Sequence, residues 1–75
     1  MKELLEFIAK SMVDDQNAVV VEEKSTEYST VLELKVDEKD MGKVIGKQGR
    51  IAKAIRTVVK AAAAKENKKV VVEIL

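Results

Sequence analysis

Apolar side chains recur at Leu4, Leu5, Ile8 and Met12, with Phe7 beside them. This spacing of three and four predicts an amphipathic helix over residues 2–13. The polar run Asp14-Asp15-Gln16-Asn17 ends it. Ala18 to Glu23 is short and rich in β-branched residues, and Tyr28 to Val36 alternates, with Tyr28, Thr30, Leu32, Leu34 and Val36 on one face. Both segments read as strands, joined as a hairpin. Lys24 to Glu27, between them, contains no Gly or Pro, so the sequence does not specify the turn type. Asp37 and Asp40 are placed to cap a short helix through Met41 to Ile45. Gly46 and Gly49 interrupt the regular structure, and a longer helix restarts near Gly49. On its wheel Arg50, Lys53, Arg56 and Lys60 take one side and Ile51, Ile55, Val58, Val59 and Ala62 the other. Asn67 closes that helix, and Val70 to Leu75 is a last buried strand.

The expected order is therefore helix, strand, strand, helix, helix, strand. This is an α+β arrangement in which helices cover one face of a three-stranded mixed sheet. The hairpin makes the first two strands antiparallel, and the helical crossover sets the last strand parallel to the second. Periodic apolar stripes usually face their own core, so Leu4, Ile8, Met12, Ile51, Ile55 and Val58 are expected inside, together with the sole tyrosine, Tyr28. Residues 1–75 read as one domain, without repeat or linker.

Composition narrows the chemistry. The 75 residues include no Cys and no His, which removes thiolates, imidazole bases and soft-metal sites, and no metal or other cofactor is expected. Asp14-Asp15 and Asp37 to Asp40 sit where helix ends favour acidic caps, and no nucleophile and base stand out as a pair, so catalysis is not expected. The longest apolar runs, such as Ala18 to Val21 and Ala61 to Ala64, are too short to cross a bilayer, which by default predicts a cytoplasmic location. A net charge of +1 conceals a segregation. Residues 1–40 carry five lysines against eleven acidic groups, a balance of −6, and residues 41–75 carry nine basic groups against two acidic, a balance of +7. Met41 to Lys65 holds seven Lys or Arg and no acidic residue, a pattern suited to an anionic partner as well as to a solvated helix face.

All three glycines fall between positions 42 and 49, and the chain has no proline. In Gly46-Lys47-Gln48-Gly49 the backbone can turn sharply and let a phosphate approach main-chain N–H groups, with the positive end of the following helix at the same spot. Lys47 adds a mobile charge, and Lys43, Arg50 and Lys53 surround the loop. A lone G-x-x-G is common by chance. Here an apolar pair, Val44-Ile45, precedes it, basic residues occupy and follow it, and it joins two helices after an alternating strand. Gly42 to Gln48 also approaches a P-loop, but only three residues separate its glycines and Gln48 stands where a hydroxyl would hold magnesium, which argues against a nucleoside triphosphatase.

Val44 to Ile51, VIGKQGRI, resembles the KH signature, an apolar residue before G-x-x-G with a basic residue inside it. Nearly the whole chain resembles the KhpA (YlqC) type of stand-alone bacterial KH protein, with the extra helix and strand placed first as in the type II KH arrangement. The resemblance implies a groove for about four nucleotides of single-stranded RNA. Gly46, Lys47, Gln48 and Gly49 would clamp the backbone, Ile45 would contribute to an apolar floor, and Lys43, Arg50 and Lys53 would lie alongside. Many KH domains carry a large aliphatic residue three positions after the second glycine; this chain has Ala52, with Ile51 and Ile55 nearby. The resemblance further implies self-association as a homodimer, pairing with a second KH-containing protein (KhpB, Jag or EloR type), and a role as RNA chaperone or post-transcriptional regulator linked to envelope or division control. A rival reading makes the chain chiefly a dimer subunit, with RNA binding secondary, since one small groove binds weakly by itself.

Overall fold

In a computed structural model covering Met1–Leu75, helix α1 (Lys2–Lys10) leads through a short 3₁₀ turn (Gln16–Ala18) to strands β1 (Val20–Ser25) and β2 (Thr30–Lys35). A second 3₁₀ turn (Glu38–Asp40) precedes helix α2 (Met41–Ile45). The loop then enters helix α3 (Arg50–Lys65), and strand β3 (Val70–Ile74) ends the chain. The sheet order is β1-β2-β3, antiparallel for the first pair and parallel for the second, as the connections predict. Register sorts the side chains. Val21 opposite Leu34, and Val70, Val72 and Ile74 opposite Thr30, Leu32 and Leu34, share the helix-covered face. The other face carries Glu22, Glu33 and Glu73 in one row across all three strands.

The core gathers Leu5, Ala9 and Val13, then Val21, Leu32, Leu34, Val70 and Val72 from the sheet, Val44 from α2, and Ile55, Val59 and Ala63 from α3. Each large side chain buried here contributes roughly 1.5–3 kcal/mol, a modest total for so short a chain. Leu4, Ile8 and Met12 are only half-buried, with Ile8 and Met12 packed against the edge of that core.

Several expectations need correction. First, α1 stops at Lys10, not Val13, because the N–H groups of Asp14 and Asp15 donate to the Asp40 carboxylate (3.3 and 3.1 Å) and cannot continue a helical ladder. Second, β1 begins at Val20, since Gln16–Ala18 is taken by the 3₁₀ turn, and it extends to Ser25. Third, Tyr28 is 83% exposed, so it is not a core residue. It lies in a turn closed by the bond from the Thr26 N–H to the Ser29 carbonyl (2.8 Å), with the Thr26 hydroxyl accepting from the N–H groups of Tyr28 and Ser29. Finally, α3 buries Ala52, Ile55, Val59 and Ala63, which rotates its inner face away from Ile51 (37% exposed) and Val58 (50% exposed). Ala52 fits against the rest of the molecule where a bulkier side chain was expected, and Ile55 supplies the large aliphatic group.

The caps divide likewise. The Asp37 carboxylate accepts the Lys39 N–H at 3.0 Å and caps the 3₁₀ turn. Asp40 precedes α2 but makes no cap bond; it is turned inward, to Asp14 and Asp15. Asn67, at φ +58°, closes α3 with Lys68 N–H to Ala63 O (2.9 Å) and Asn67 N–H to Ala64 O (3.1 Å), the paired bonds of a Schellman closure. No helix is long and apolar enough to cross a membrane.

Candidate nucleic-acid interface

Between α2 and α3 the chain reverses within four residues. Gly46 stands at φ 75°, ψ 175°, a region open essentially only to glycine. A Cβ there would lie 2.5 Å from Cγ1 of Ile51, so the bare α-carbon lets the Ile51 side chain close over the turn. Gln48 (φ 58°, ψ 24°) and Gly49 (φ 74°, ψ 13°) follow in the left-handed region. The Gly49 N–H bonds to the Gly46 carbonyl at 3.2 Å, while no backbone hydrogen bond takes up the N–H of Lys47 or of Gln48. Two main-chain donors are thus available where α3 begins, and their partial charge adds to that of the helix end.

The cations around this loop fall into two groups. The Lys47, Arg50 and Lys53 side chains are exposed and form no ion pair. Lys43 is engaged: its Nζ donates to Asp14 and lies 3.6 Å from Asp40. The hydrogen bond to Asp14, with the attraction of Asp14 and Asp40, holds the Lys43 ammonium above its ordinary range against the pull of burial. Asp40, only 1% exposed, is held below the ordinary carboxylate range chiefly by the Asp15 N–H. Burial opposes this, and the Asp14 N–H and Lys43 reinforce it. Asp40 therefore ties the α1–β1 connection to the start of α2, the helix that delivers the chain to the turn at Gly46.

Ile45 is 38% exposed where α2 enters the loop, and Ile51 is 37% exposed where α3 leaves it. Lys53, Arg56 and Lys60 lie along one flank of α3. Arg56 marks where that flank faces, since its Nε donates to the Val72 carbonyl (3.4 Å) on β3, the edge strand of the sheet. The structure brings together Ile45, Gly46, Lys47, Gln48, Gly49, Arg50 and Lys53 around one exposed surface, with Lys43 on its inner side. The charge pattern placed Arg56 and Lys60 on a wet face; it carried no sign of the Arg56 bond to β3, which depends on the sheet order. Asp40's inward role was also invisible, because its partners lie 25 and 26 residues away.

Residues 2–74 match the family described as KhpA/KhpB, KH domain. The chain is 73% identical over 75 residues to the RNA-binding protein KhpA of Clostridium perfringens and 71% identical over 75 residues to that of Clostridium acetobutylicum, with 100% of both chains covered in each comparison. It is 49% identical over 75 residues to the RNA-binding protein KhpA of Aquifex aeolicus, covering 100% of this chain and 95% of that one. No solved structure gives a significant match. With the family pattern spanning residues 2–74 and full-length relatives this similar, the chain belongs to the KhpA/KhpB family of KH domains.

Proposed function

We propose that this protein is a small non-enzymatic binder of single-stranded RNA that grips the sugar-phosphate backbone at Gly46-Lys47-Gln48-Gly49. The observation that carries the reading is the loop itself: two unbonded main-chain N–H groups, held by left-handed residues and flanked by the unpaired cations Lys47, Arg50 and Lys53. A phosphate satisfies both donors and neutralises the local charge, while Ile45 offers an apolar surface to a base. Lys43 orders α2 through Asp14 and Asp40 and reaches a phosphate only by leaving Asp14. The three relatives named as RNA-binding proteins support this reading. The family resemblance extends it to an RNA chaperone or post-transcriptional regulator.

The test is binding of a short fluorescent single-stranded RNA at two salt concentrations, comparing wild type with Lys47→Asp/Gln48→Asp. Aspartate tolerates the left-handed region at position 48, so the variant retains the turn while repelling phosphate. Salt-sensitive binding that the folded variant loses supports the loop as clamp; equal binding by both proteins, or none by either, rejects it.

A second reading, a subunit that works chiefly by pairing, is favoured by one observation. Ile51, Ala54, Val58 and Ala61 are all exposed on α3 at heptad spacing, a narrow apolar seam facing away from the core. A second copy of this chain is the occupant proposed for it, with a KhpB-type KH protein as the heterodimer alternative. Val58 and Ala61, the part of the seam beyond the loop, lie on the other side of the buried face of α3 from Lys53 and Arg56, so pairing through them leaves the RNA surface open, while Ile51 packs over Gly46.

A further inference from the structure

Beyond the loop, a second cluster of cations stands at the opposite end of α3. Lys60, Lys68 and Lys69 line an open hollow of about 290 Å³ together with the start of β3 at Val70 and Val71. The cluster is anchored by backbone geometry. Asn67 turns the chain at φ +58°, Lys68 is fixed by its N–H bond to Ala63 O (2.9 Å), and the Lys69 carbonyl accepts the Thr30 N–H (2.9 Å). The main chain is thus held while three exposed ammonium groups remain without a carboxylate partner. Glu66 is the one acidic residue between Met41 and Glu73, and it forms no ion pair with them. Lys60 continues the flank of Lys53 and Arg56, and Arg56 is tied to the edge strand by its bond to Val72 O. One basic line therefore runs from the loop to the hollow, and Gly49 and Lys60 are about 16 Å apart along the helix axis.

We infer that the Lys60-Lys68-Lys69 hollow is a second phosphate anchor, which holds the far end of the single strand whose near end the glycine loop clamps. The inference rests on the RNA-binding reading above. Its three unpaired ammonium groups match the charge of a phosphate, and their methylene stems border the hollow at the start of β3. Two anchors on one strand make the second contact intramolecular once the first is made, so affinity rises with RNA length until both ends are reached.

The experiment compares a three-nucleotide with an eight-nucleotide RNA on wild type, on Lys60→Gln/Lys68→Gln/Lys69→Gln, and on a control of equal charge change at Lys2, Lys35 and Lys39. All six positions are exposed, and circular dichroism checks each fold. The expected result is that the hollow variant weakens the longer RNA about tenfold, lowers its salt slope by about 2, and leaves the shorter one nearly unchanged. The control should behave as wild type. Equal losses for both RNAs, equal losses in the control, or no loss at all overturns the second anchor while the loop reading stands. If wild type binds neither RNA, the RNA reading itself falls and the anchor with it.

Discussion

Three glycines stand within eight residues, and each answers to a different demand. Gly46 combines a glycine-only backbone region with Ile51 lying where a Cβ would go, so Gly46→Ala must both strain the chain and displace that side chain. Gly49 has the same sign of φ but open space around it, and only the left-handed penalty of about 1–2 kcal/mol applies. Gly42 lies inside α2 with nothing within 4 Å, where alanine stabilises a helix by about 0.5–1 kcal/mol. Denaturant melts of the three alanine variants should therefore rank Gly42→Ala above wild type, Gly49→Ala below it and Gly46→Ala lowest. If Gly46→Ala and Gly49→Ala unfold alike, the Ile51 contact does not matter. Asp40 gives a pH prediction. Its carboxyl is held below the ordinary 3.8, so the stability it contributes is present above that value and is lost as the pH falls through the lower folded value. Asp40→Asn should melt at a lower temperature than wild type at neutral pH, and the gap should close in acid. A gap that persists unchanged to the most acidic pH at which wild type still folds would show that the charge of Asp40 contributes nothing.

Helix α3 shows how far periodicity reads a fold. Apolar residues on two adjacent stripes, Ile55-Val59 and Ile51-Val58, look equivalent in sequence, and only the sheet beneath decides which is buried. The element order, the mixed sheet and the glycine loop were legible, because alternation in β2, the helical wheel and the clustering of glycine are local signals. The end of α1, the start of β1 and the site of Tyr28 were not. The first depends on Asp40, far along the chain, and Tyr28 extends an alternating pattern past the last paired residue, Thr30, into a threonine-closed turn. The loop half of the candidate site was legible for the same local reason, whereas the Arg56 contact to Val72 O needed the strand order. The two stripes make a paired prediction. Val59→Ala removes fully buried methyl groups and should cost about 2 kcal/mol in chemical unfolding, while Val58→Ala should change stability by less than about 0.5 kcal/mol at concentrations where the chain is monomeric. Similar losses at both positions would mean that α3 sits rotated from this arrangement.

At the scale of the whole molecule, charge and apolar surface divide between separate faces. Glu22, Glu33 and Glu73 line the open side of the sheet, where Lys24 pairs with Glu33 at 3.1 Å, so that side repels a polyanion. The cations lie on the loop and the β3 flank of α3, and the apolar seam occupies its other flank. Under the pairing proposed above, RNA takes one surface and a second copy the other, which makes the two activities separable. Val58→Asp places a carboxylate in the middle of the seam, at a half-exposed position that a folded monomer tolerates. Sedimentation should then show wild type associating with rising concentration and the variant remaining monomeric. An RNA short enough for one groove should bind both proteins alike, because Val58 lies more than two turns of α3 from the loop. A long RNA that spans two grooves should lose affinity in the variant, since pairing supplies the second grip at high effective concentration. If Val58→Asp stays associated, the seam is not the interface; if it becomes monomeric but also loses the short RNA, the two faces are coupled and the separation argued from the opposite flanks of α3 is wrong.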